Sequence, residues 1–328
     1  MTEGMINLLK PAGMTSHDAV AKVRRLTGVK RVGHTGTLDP MAAGVLPIGI
    51  GSAARIAEYL DLDEKIYRCE LLLGVETDTQ DIWGTVTADR RHQAGELTEQ
   101  AVIEAFSHLS GNRMQLPPKY SALKVNGKRL YQYAREGVEV EIKPRPVSIS
   151  NVGLVDMDME HGRVMFDVTC SKGTYIRSIC SEVGEALGCG ACMSFLLRMQ
   201  SGFARLSEAV TLEELQEPGA LSGSAPAIVP VEQCLPDLGR FDLRSGRGKW
   251  FSNGGWLTDK DGRISREPFQ AARTQTGAWQ MLKEKIRHLQ TGEELLRTYL
   301  VFEDGVFLGT AVFDEQEQRY CCGKVFRR

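Results

Sequence analysis

RVGHTGTLDPMAAGVLPIG, residues 31–49, is the most unusual stretch of this chain. Its four glycines and two prolines predict neither a regular helix nor a central strand. The stretch is nevertheless apolar and almost uncharged, so a solvated surface loop is not expected either. A loop of this kind, packed against a scaffold, is where proteins often hold functional groups. We therefore expect residues 31–49 to carry part of the functional site.

Asp39 is the only carboxylate of this stretch, and it admits two interpretations. Pro40 favours an extended backbone at Asp39, and the ordinary role of an Asp-Pro pair is to cap a turn. A carboxylate among apolar residues otherwise needs a cation or hydrogen bonds to stay ionised. His34 is one candidate partner, although a lone histidine in such a loop more often bonds to neighbouring backbone.

Arg177 is the second unusual residue, at the end of SKGTYIR, residues 171–177. An alternating pattern predicts a strand before it, with Val164, Phe166, Val168 and Cys170 on one face. A helical apolar stripe follows, formed by Ile176, Ile179, Cys180, Val183 and Leu187. Arg177 lies off this stripe and in the first helical turn, where the helix dipole disfavours a cation. An anionic partner, either a protein carboxylate or a phosphate, would explain it.

The composition is that of a globular protein with a core. The chain has 328 residues, 42% of them hydrophobic and 25% charged, which predicts roughly two domains. This excludes a disordered chain, a collagen-like repeat and a coiled-coil rod. The net charge of −2 also excludes a globally basic nucleic-acid binder, but not a locally basic one.

Two local clusters are strongly basic. Residues 10–31 carry six basic residues and one acidic residue, and residues 113–145 carry eight basic and three acidic residues. The second cluster also contains Tyr120, Tyr131 and Tyr133. Cations bind phosphates, and aromatic rings stack on unpaired bases, so this composition is typical of an RNA-binding segment. A solvated charged surface is the alternative interpretation.

Other features of the sequence predict a cytoplasmic protein without metal. We find no apolar span long enough for a membrane and no signal peptide, and the eight scattered cysteines are expected to be reduced. Cys189 and Cys192 have redox or metal spacing, but no second pair accompanies them. We interpret them as ordinary small residues.

The pattern of elements predicts an α+β fold. We expect a helix from Asp18 to Leu26 capped by Ser16, and a second helix capped by Ser52 and ending at Leu60. Alternation over residues 67–73 predicts a strand that buries Tyr67 on its apolar face. Strands and helices mix without regular βαβ alternation.

A linker over residues 216–226 divides the chain into domains at 1–235 and 238–328. In the second domain, apolar runs around Asp304-Gly305 predict a β-hairpin within a small β-rich domain.

These stretches together closely resemble the tRNA pseudouridine synthase B (TruB) family, over residues 5 to about 235. The resemblance rests on KPAGMTS (10–16), GHTGTLDP (33–40), GVLP (44–47), KIYR (65–68), PPKYSALK (117–124), KRLYQYAR (128–135) and KGTYIR (172–177). It implies a catalytic domain with a mixed or antiparallel sheet flanked by helices.

The resemblance also implies a function and its residues. Asp39 matches the catalytic aspartate that isomerises the T-loop uridine, position 55 of tRNA, to pseudouridine after base flipping. Tyr67 matches the tyrosine that stacks on the target base, and Arg177 matches the arginine that pairs with the aspartate. The implied RNA-binding residues are His34, Lys10, Tyr175, Lys124, Lys128 and Arg129. Isomerisation needs neither redox chemistry nor hydrolysis, so we expect no cofactor and no metal.

The remaining implications concern RNA binding and domain organisation. Residues 113–145 resemble an insertion that clamps the RNA, and residues 238–328 resemble a PUA RNA-binding domain. Within the latter, residues 258–298 look like an atypical insertion with a helix from Ala278 to Leu289. Leu197-Arg198 departs from a family pattern of two arginines. The expected partner is the T stem-loop of tRNA, without a guide RNA or a membrane, and the expected state is a monomer.

Three alternatives compete with this prediction. One is a guide-RNA-dependent relative on the same fold, but the segment from Lys124 to Arg135 resembles the stand-alone bacterial type instead. A non-catalytic tRNA-binding or tRNA-folding protein would not need Asp39, Tyr67 and Arg177 together. An aspartate-based glycosidase usually needs a second carboxylate, and residues 31–49 contain only one.

Overall fold

The computed structural model describes residues 3–60, 64–221, 227–268 and 297–326, and confirms the α+β class. The strands are β1 Gly4–Lys10, β2 Val32–His34, β3 Ala43–Ile50, β4 Lys65–Leu73, β5 Val75–Thr77, β6 Val86–Asp89, β7 Gly111–Gln115, β8 Lys124–Val125, β9 Lys128–Arg129, β10 Arg145–Asp158, β11 Arg163–Cys170, β12 Ala191–Ser201, β13 Ala204–Arg205, β14 Ile228–Val229, β15 Gly239–Leu243, β16 Gly262–Arg266, β17 Thr298–Glu303, β18 Val306–Asp314 and β19 Arg319–Val325. The α-helices are α1 Ser16–Thr27, α2 Ala57–Leu60, α3 Arg91–Ala94, α4 Glu99–Ser107, α5 Leu130–Arg135, α6 Ile176–Ala186 and α7 Gly248–Ser252.

Ten of the described strands form one mixed sheet. Its main order is β14-β1-β3-β12-β4-β11-β10-β7, with β2 paired to β3 and β13 paired to β12. The β3–β12 pair is parallel, and the other pairs of this sheet are antiparallel. Helices α1, α4 and α6 contribute apolar side chains to one core with this sheet, among them Val23, Phe106 and Ile179. The predicted apolar faces of β4, β11 and α6 are confirmed by their burial.

A second sheet of five strands lies in the C-terminal region, in the order β16-β15-β17-β18-β19. The predicted hairpin is present, because β17 and β18 are antiparallel and turn through Asp304 and Gly305, both at positive φ. This β-rich region is consistent with a PUA-like domain. A cluster containing Met5, Ile56, Leu300 and Phe307 packs residues of the two sheets together.

The structure corrects the prediction that residues 31–49 hold no central strand. Their second half forms β3, which lies between β1 and β12. Pro47 is tolerated there because no described strand lies beside its ring nitrogen. Its carbonyl accepts from the Thr35 amide, so its ring nitrogen faces the same side, where β2 has already ended at His34. No ladder hydrogen bond to β1 is therefore lost.

Both predicted serine caps are also wrong. Thr15 caps α1, and its side chain and the Asp18 carboxylate form a reciprocal capping box. Ser52 lies inside a 3₁₀ helix, Gly51–Ile56, that precedes α2, and its hydroxyl donates to the Glu3 carboxylate at 2.7 Å. A short polar residue before an apolar pattern marks a helix start only to within a residue or two.

Some predicted segments lie partly or wholly outside the described residues. They are residues 222–226 of the expected linker and the whole expected helix from Ala278 to Leu289. Within residues 258–298, the described part contributes β16 and the start of β17 to the five-stranded sheet.

Candidate active site

Asp39 and Arg177 form an ion pair, although they lie far apart in the sequence. Arg177 Nε is 2.9 Å from Asp39 Oδ2. The arginine side chain is 5% exposed, whereas the aspartate side chain is 40% exposed. The carboxylate is thus bound on one side by a buried cation and accessible from the other. Arg177 has the anionic partner that its place off the helical stripe required.

The Arg177 guanidinium is fixed by two further backbone contacts. It donates to the Thr79 carbonyl and to the Tyr120 carbonyl, both at 2.9 Å. Asp81 Oδ2 lies 3.8 Å from its Nη1, so a second carboxylate approaches the pair. No pattern in the sequence around residues 77–85 pointed to Asp81, because its proximity depends entirely on the fold.

The loop that carries Asp39 is held by α1 and by the turn that precedes it. The Ser16 hydroxyl accepts from the Leu38 amide at 2.9 Å and donates to the Leu38 carbonyl at 3.0 Å. The Gly13 amide donates to the Pro40 carbonyl at 3.0 Å. Ser16, which we expected to cap a helix, instead binds the residue immediately before Asp39.

Lys10 lies beneath the same loop and is fully buried. Its ammonium donates to the carbonyls of Pro11 at 2.8 Å, Met14 at 2.6 Å and Pro40 at 3.1 Å. Burial lowers the pKa of Lys10 from 10.5 to about 8, and the nearby Asp39 charge opposes that change. This geometry connects Lys10 to the backbone beside Asp39.

Tyr67 joins this group from β4, where it is 8% exposed. Burial raises the pKa of its phenol, and the positive charge of Arg198 acts in the opposite direction. Asp39 is close enough to raise that pKa further. Asp39, Arg177, Tyr67 and Lys10 therefore converge, together with Arg198, to which the sequence assigned no place in the site.

His34 does not partner Asp39, contrary to one interpretation of the sequence. It lies in β2, and its buried Nδ1 has no hydrogen-bond partner among the described residues. Burial lowers its pKa, and the charges of His17, Arg198 and Arg129 lower it further. His34 is thus a neutral side chain near pH 7, next to cations that could attract a phosphate.

The basic cluster at residues 113–145 is anchored to the start of α6. Gln115 exchanges two hydrogen bonds with the backbone of Tyr175, and Ser178 Oγ donates to the Leu116 carbonyl. With the Tyr120 contact of Arg177, these bonds connect the segment directly to the ion pair. Tyr175 is the N-cap residue of α6, and its side chain is half-buried.

Beyond this anchor, β8 and β9 form a small hairpin whose turn is Asn126-Gly127. Lys124 and Arg129 are exposed on it. Lys128 differs, because its ammonium binds the Glu136 carboxylate and lies 4.8 Å from the centre of the Tyr133 ring. The structure therefore leaves two of this segment's three expected RNA-binding cations open to solvent.

Two classes of feature do not occur in the described part of the chain. No three His, Cys, Asp or Glu side chains there are grouped as metal ligands would be. None of the helices it contains has the length and apolar character needed to span a membrane.

Family models match most of the chain. Residues 24–176 match the TruB family pseudouridylate synthase (N terminal domain), and residues 177–235 match the tRNA pseudouridylate synthase B C-terminal domain. A tRNA pseudouridine synthase B of Alkaliphilus oremlandii is 46% identical over 251 residues, which are 76% of this chain and 81% of that protein. The chain belongs to the TruB family. A relative of the same description from Clostridium perfringens is 38% identical over 314 residues, or 95% of this chain and 96% of that protein.

Solved structures resemble the fold as well. A chain in a Cbf5-Nop10-Gar1 complex aligns with a TM-score of 0.69 at 22% identity, covering 99% of this chain and 85% of that one. A chain of an H/ACA RNP bound to a substrate RNA containing 2′-deoxyuridine aligns with a TM-score of 0.67 at 20% identity, with the same coverage. At these identities the likeness shows a shared pseudouridine-synthase fold.

Proposed function

We propose that this TruB-family chain is a tRNA pseudouridine synthase that isomerises the T-loop uridine, position 55 of tRNA, to pseudouridine. The observation that carries the proposal is the Asp39 carboxylate, paired at 2.9 Å with buried Arg177 and open on its other side. Relatives described as tRNA pseudouridine synthase B support it over most of the chain. A protein that only binds RNA has no need for such a carboxylate.

The reaction requires three changes in one nucleotide. The N1–C1′ bond breaks, the uracil rotates, and a C5–C1′ bond forms while the proton on C5 is released to solvent and N1 is protonated. Asp39 is the nucleophile or base that divides this reaction into easier steps, by attack at C1′, by addition to C6, or by assisting elimination to a glycal. Arg177 orients the carboxylate in each case, since its Nε lies 2.9 Å from Oδ2.

The other site residues are proposed to bind the flipped nucleotide and its surroundings. Tyr67 stacks on the target base, and His34 contacts the nucleotides displaced by flipping. Lys10 maintains the backbone beside Asp39 through its three carbonyl contacts. Tyr175 contacts RNA at the start of α6.

Residues 113–145 are proposed to close over the T loop as an RNA clamp. The exposed cations of the β8–β9 hairpin, Lys124 and Arg129, bind phosphates, and Lys128 contributes when it releases Glu136. Anchoring of this segment to α6 supports the proposal, because RNA binding at the hairpin would then be coupled to the position of Arg177.

The same proposal includes the organisation and partners of the protein. Residues 1–235 form the catalytic domain, and residues 238–328 form a PUA-like RNA-binding domain with an atypical insertion at 258–298. The partner is the T stem-loop of tRNA without a guide RNA, and the enzyme acts as a cytoplasmic monomer.

One assay tests the proposed reaction. Unmodified tRNA transcript is incubated with the protein, and pseudouridine is mapped at single-nucleotide resolution. We expect product at the T-loop uridine with the wild type, and a rate at least about 10³-fold lower with Asp39→Asn, because that substitution removes the nucleophilic charge. Asp156→Asn, at an exposed carboxylate of β10, is the matched control and keeps full activity.

Two outcomes would contradict this proposal. Tight tRNA binding without any product from the wild type would favour the non-catalytic binding protein. Full activity of Asp39→Asn would rule out the aspartate mechanism.

A further inference from the structure

Arg198, in β12, is the largest fully buried side chain among the described residues and is 1% exposed. Burying a guanidinium is costly unless its donors are satisfied. Its hydrogen bonds go to three carbonyl oxygens, not to a carboxylate. Nε donates to Val45 at 2.8 Å, and the two terminal nitrogens donate to Thr37 at 3.4 Å and to Gly36 at 3.2 Å. The buried positive charge therefore binds backbone carbonyls between residues 36 and 45.

Those carbonyls flank Asp39 on both sides. Gly36 and Thr37 lie in the part of the loop that leads to Asp39, and Val45 lies in β3, which leads away from it. The Arg198 backbone also approaches this stretch, because β12 pairs with β3 at Arg198 and Gly44. A Cβ at Gly44 would lie only 2.2 Å from the Arg198 carbonyl oxygen. Side chain and backbone of one residue therefore fix both ends of the Asp39 loop.

Arg198 also lies beside Tyr67. The two residues are directly opposite in the antiparallel β12–β4 pair, which directs their side chains to the same face. The positive charge of Arg198 counteracts the effect of burial on the pKa of the Tyr67 phenol. One planar group thus binds the loop that carries Asp39 and neighbours the aromatic side chain proposed to receive the base.

We propose that Arg198 is a positioning residue that holds Asp39 and Tyr67 in a fixed relative geometry. It differs from Arg177, which binds the Asp39 carboxylate itself. The proposal rests on the proposed function, and it predicts that Arg198 supports the chemical step and not RNA affinity. A displacement of about 1 Å in such a site lowers the rate by about 10²-fold. A lysine offers a point charge without the planar fork, so it cannot reproduce all the contacts.

The test compares Arg198→Lys with the wild type in two measurements. Single-turnover formation of pseudouridine in full-length tRNA transcript gives the rate of the chemical step, and filter binding gives the Kd for the same RNA. We expect the rate to fall by at least about tenfold, with a Kd within about twofold of the wild type. Arg163→Lys, at an exposed arginine paired with Glu70, is the matched control and changes neither value.

A second variant separates positioning from folding. Arg198→Ala leaves a space that a guanidinium ion can enter, so millimolar guanidinium should restore part of its activity, whereas sodium at equal ionic strength should not. If Arg198→Ala does not fold, the Arg198→Lys measurements decide.

Three results would overturn the proposal. They are an unchanged single-turnover rate in Arg198→Lys, weaker tRNA binding with an unchanged rate, or a fall in rate that the unfolded fraction of the variant accounts for completely. An inactive wild type would instead refute the proposed function itself.

Discussion

Replacing Lys10 by methionine should change how the stability of the protein depends on pH. The side chain is fully buried and donates to three carbonyls, and burial lowers its pKa from 10.5 to about 8. Methionine has a similar length and carries no charge, so it removes the titration with little change in packing.

The sign and size of the expected change in the free energy of unfolding follow from the pKa of Lys10 in the folded and in the unfolded protein. Between pH 8 and 10.5 the folded protein has lost the Lys10 proton, while the unfolded chain still holds it. The unfolded state then binds more protons, so the free energy of unfolding rises with pH. The gap between 10.5 and about 8 corresponds to about 3 kcal/mol at full titration.

Urea unfolding of both proteins from pH 7 to 11 measures this effect. The free energy of unfolding of the wild type minus that of Lys10→Met should be constant below about pH 7 and rise by about 3 kcal/mol by pH 11. Lys22→Met, at an exposed lysine of α1, should give a flat difference. Parallel curves for wild type and Lys10→Met, or a difference that falls with pH, would refute the inference that the Lys10 charge is desolvated.

Two other substitutions test the loop and the clamp. Gly44→Ala should lower the free energy of unfolding by about 3 kcal/mol or more, because φ is 117° and the new Cβ would meet Arg198 backbone. Gly28→Ala, at positive φ in open space, should cost only about 1 kcal/mol in the same denaturation experiment, and equal losses would contradict the steric argument. Neutralising Lys124, Lys128 and Arg129 together should make the plot of log Kd for tRNA against log salt shallower by about 2, because Lys128 is partly neutralised by Glu136. An unchanged slope would show that the hairpin does not contact phosphates.

The candidate site was partly predictable because each main residue is unusual where it stands. Asp39 is a lone carboxylate in an apolar stretch, and Arg177 is a cation at the wrong end of a helix. Residue type and periodicity reveal such conflicts without any structure. They do not reveal that Asp39 and Arg177 are each other's partners, which the 2.9 Å contact between them shows.

The wrong predictions share a cause. Thr15, and not Ser16, caps α1, because the Ser16 hydroxyl is hydrogen-bonded to the backbone of Leu38. Pro47 lies in a central strand because β2 ends beside its ring nitrogen. In both cases a contact with a distant residue overrode a local preference. Arg198 escaped prediction for the same reason, since an isolated arginine in an apolar strand does not indicate which carbonyls it binds.

Residue patterns alone predicted the α+β class, the apolar faces of β4, β11 and α6, and the two charged residues that needed partners. These properties follow from the period of side chains along a strand or helix and from the cost of charge in apolar surroundings. The resemblance implied that Arg177 pairs with Asp39, but the contacts of Arg198 became known from the fold alone, because they depend on the order of strands in the sheet. The Arg198 contact with Gly36 spans 162 residues, and the parallel pairing of β3 with β12 is what brings these two residues together.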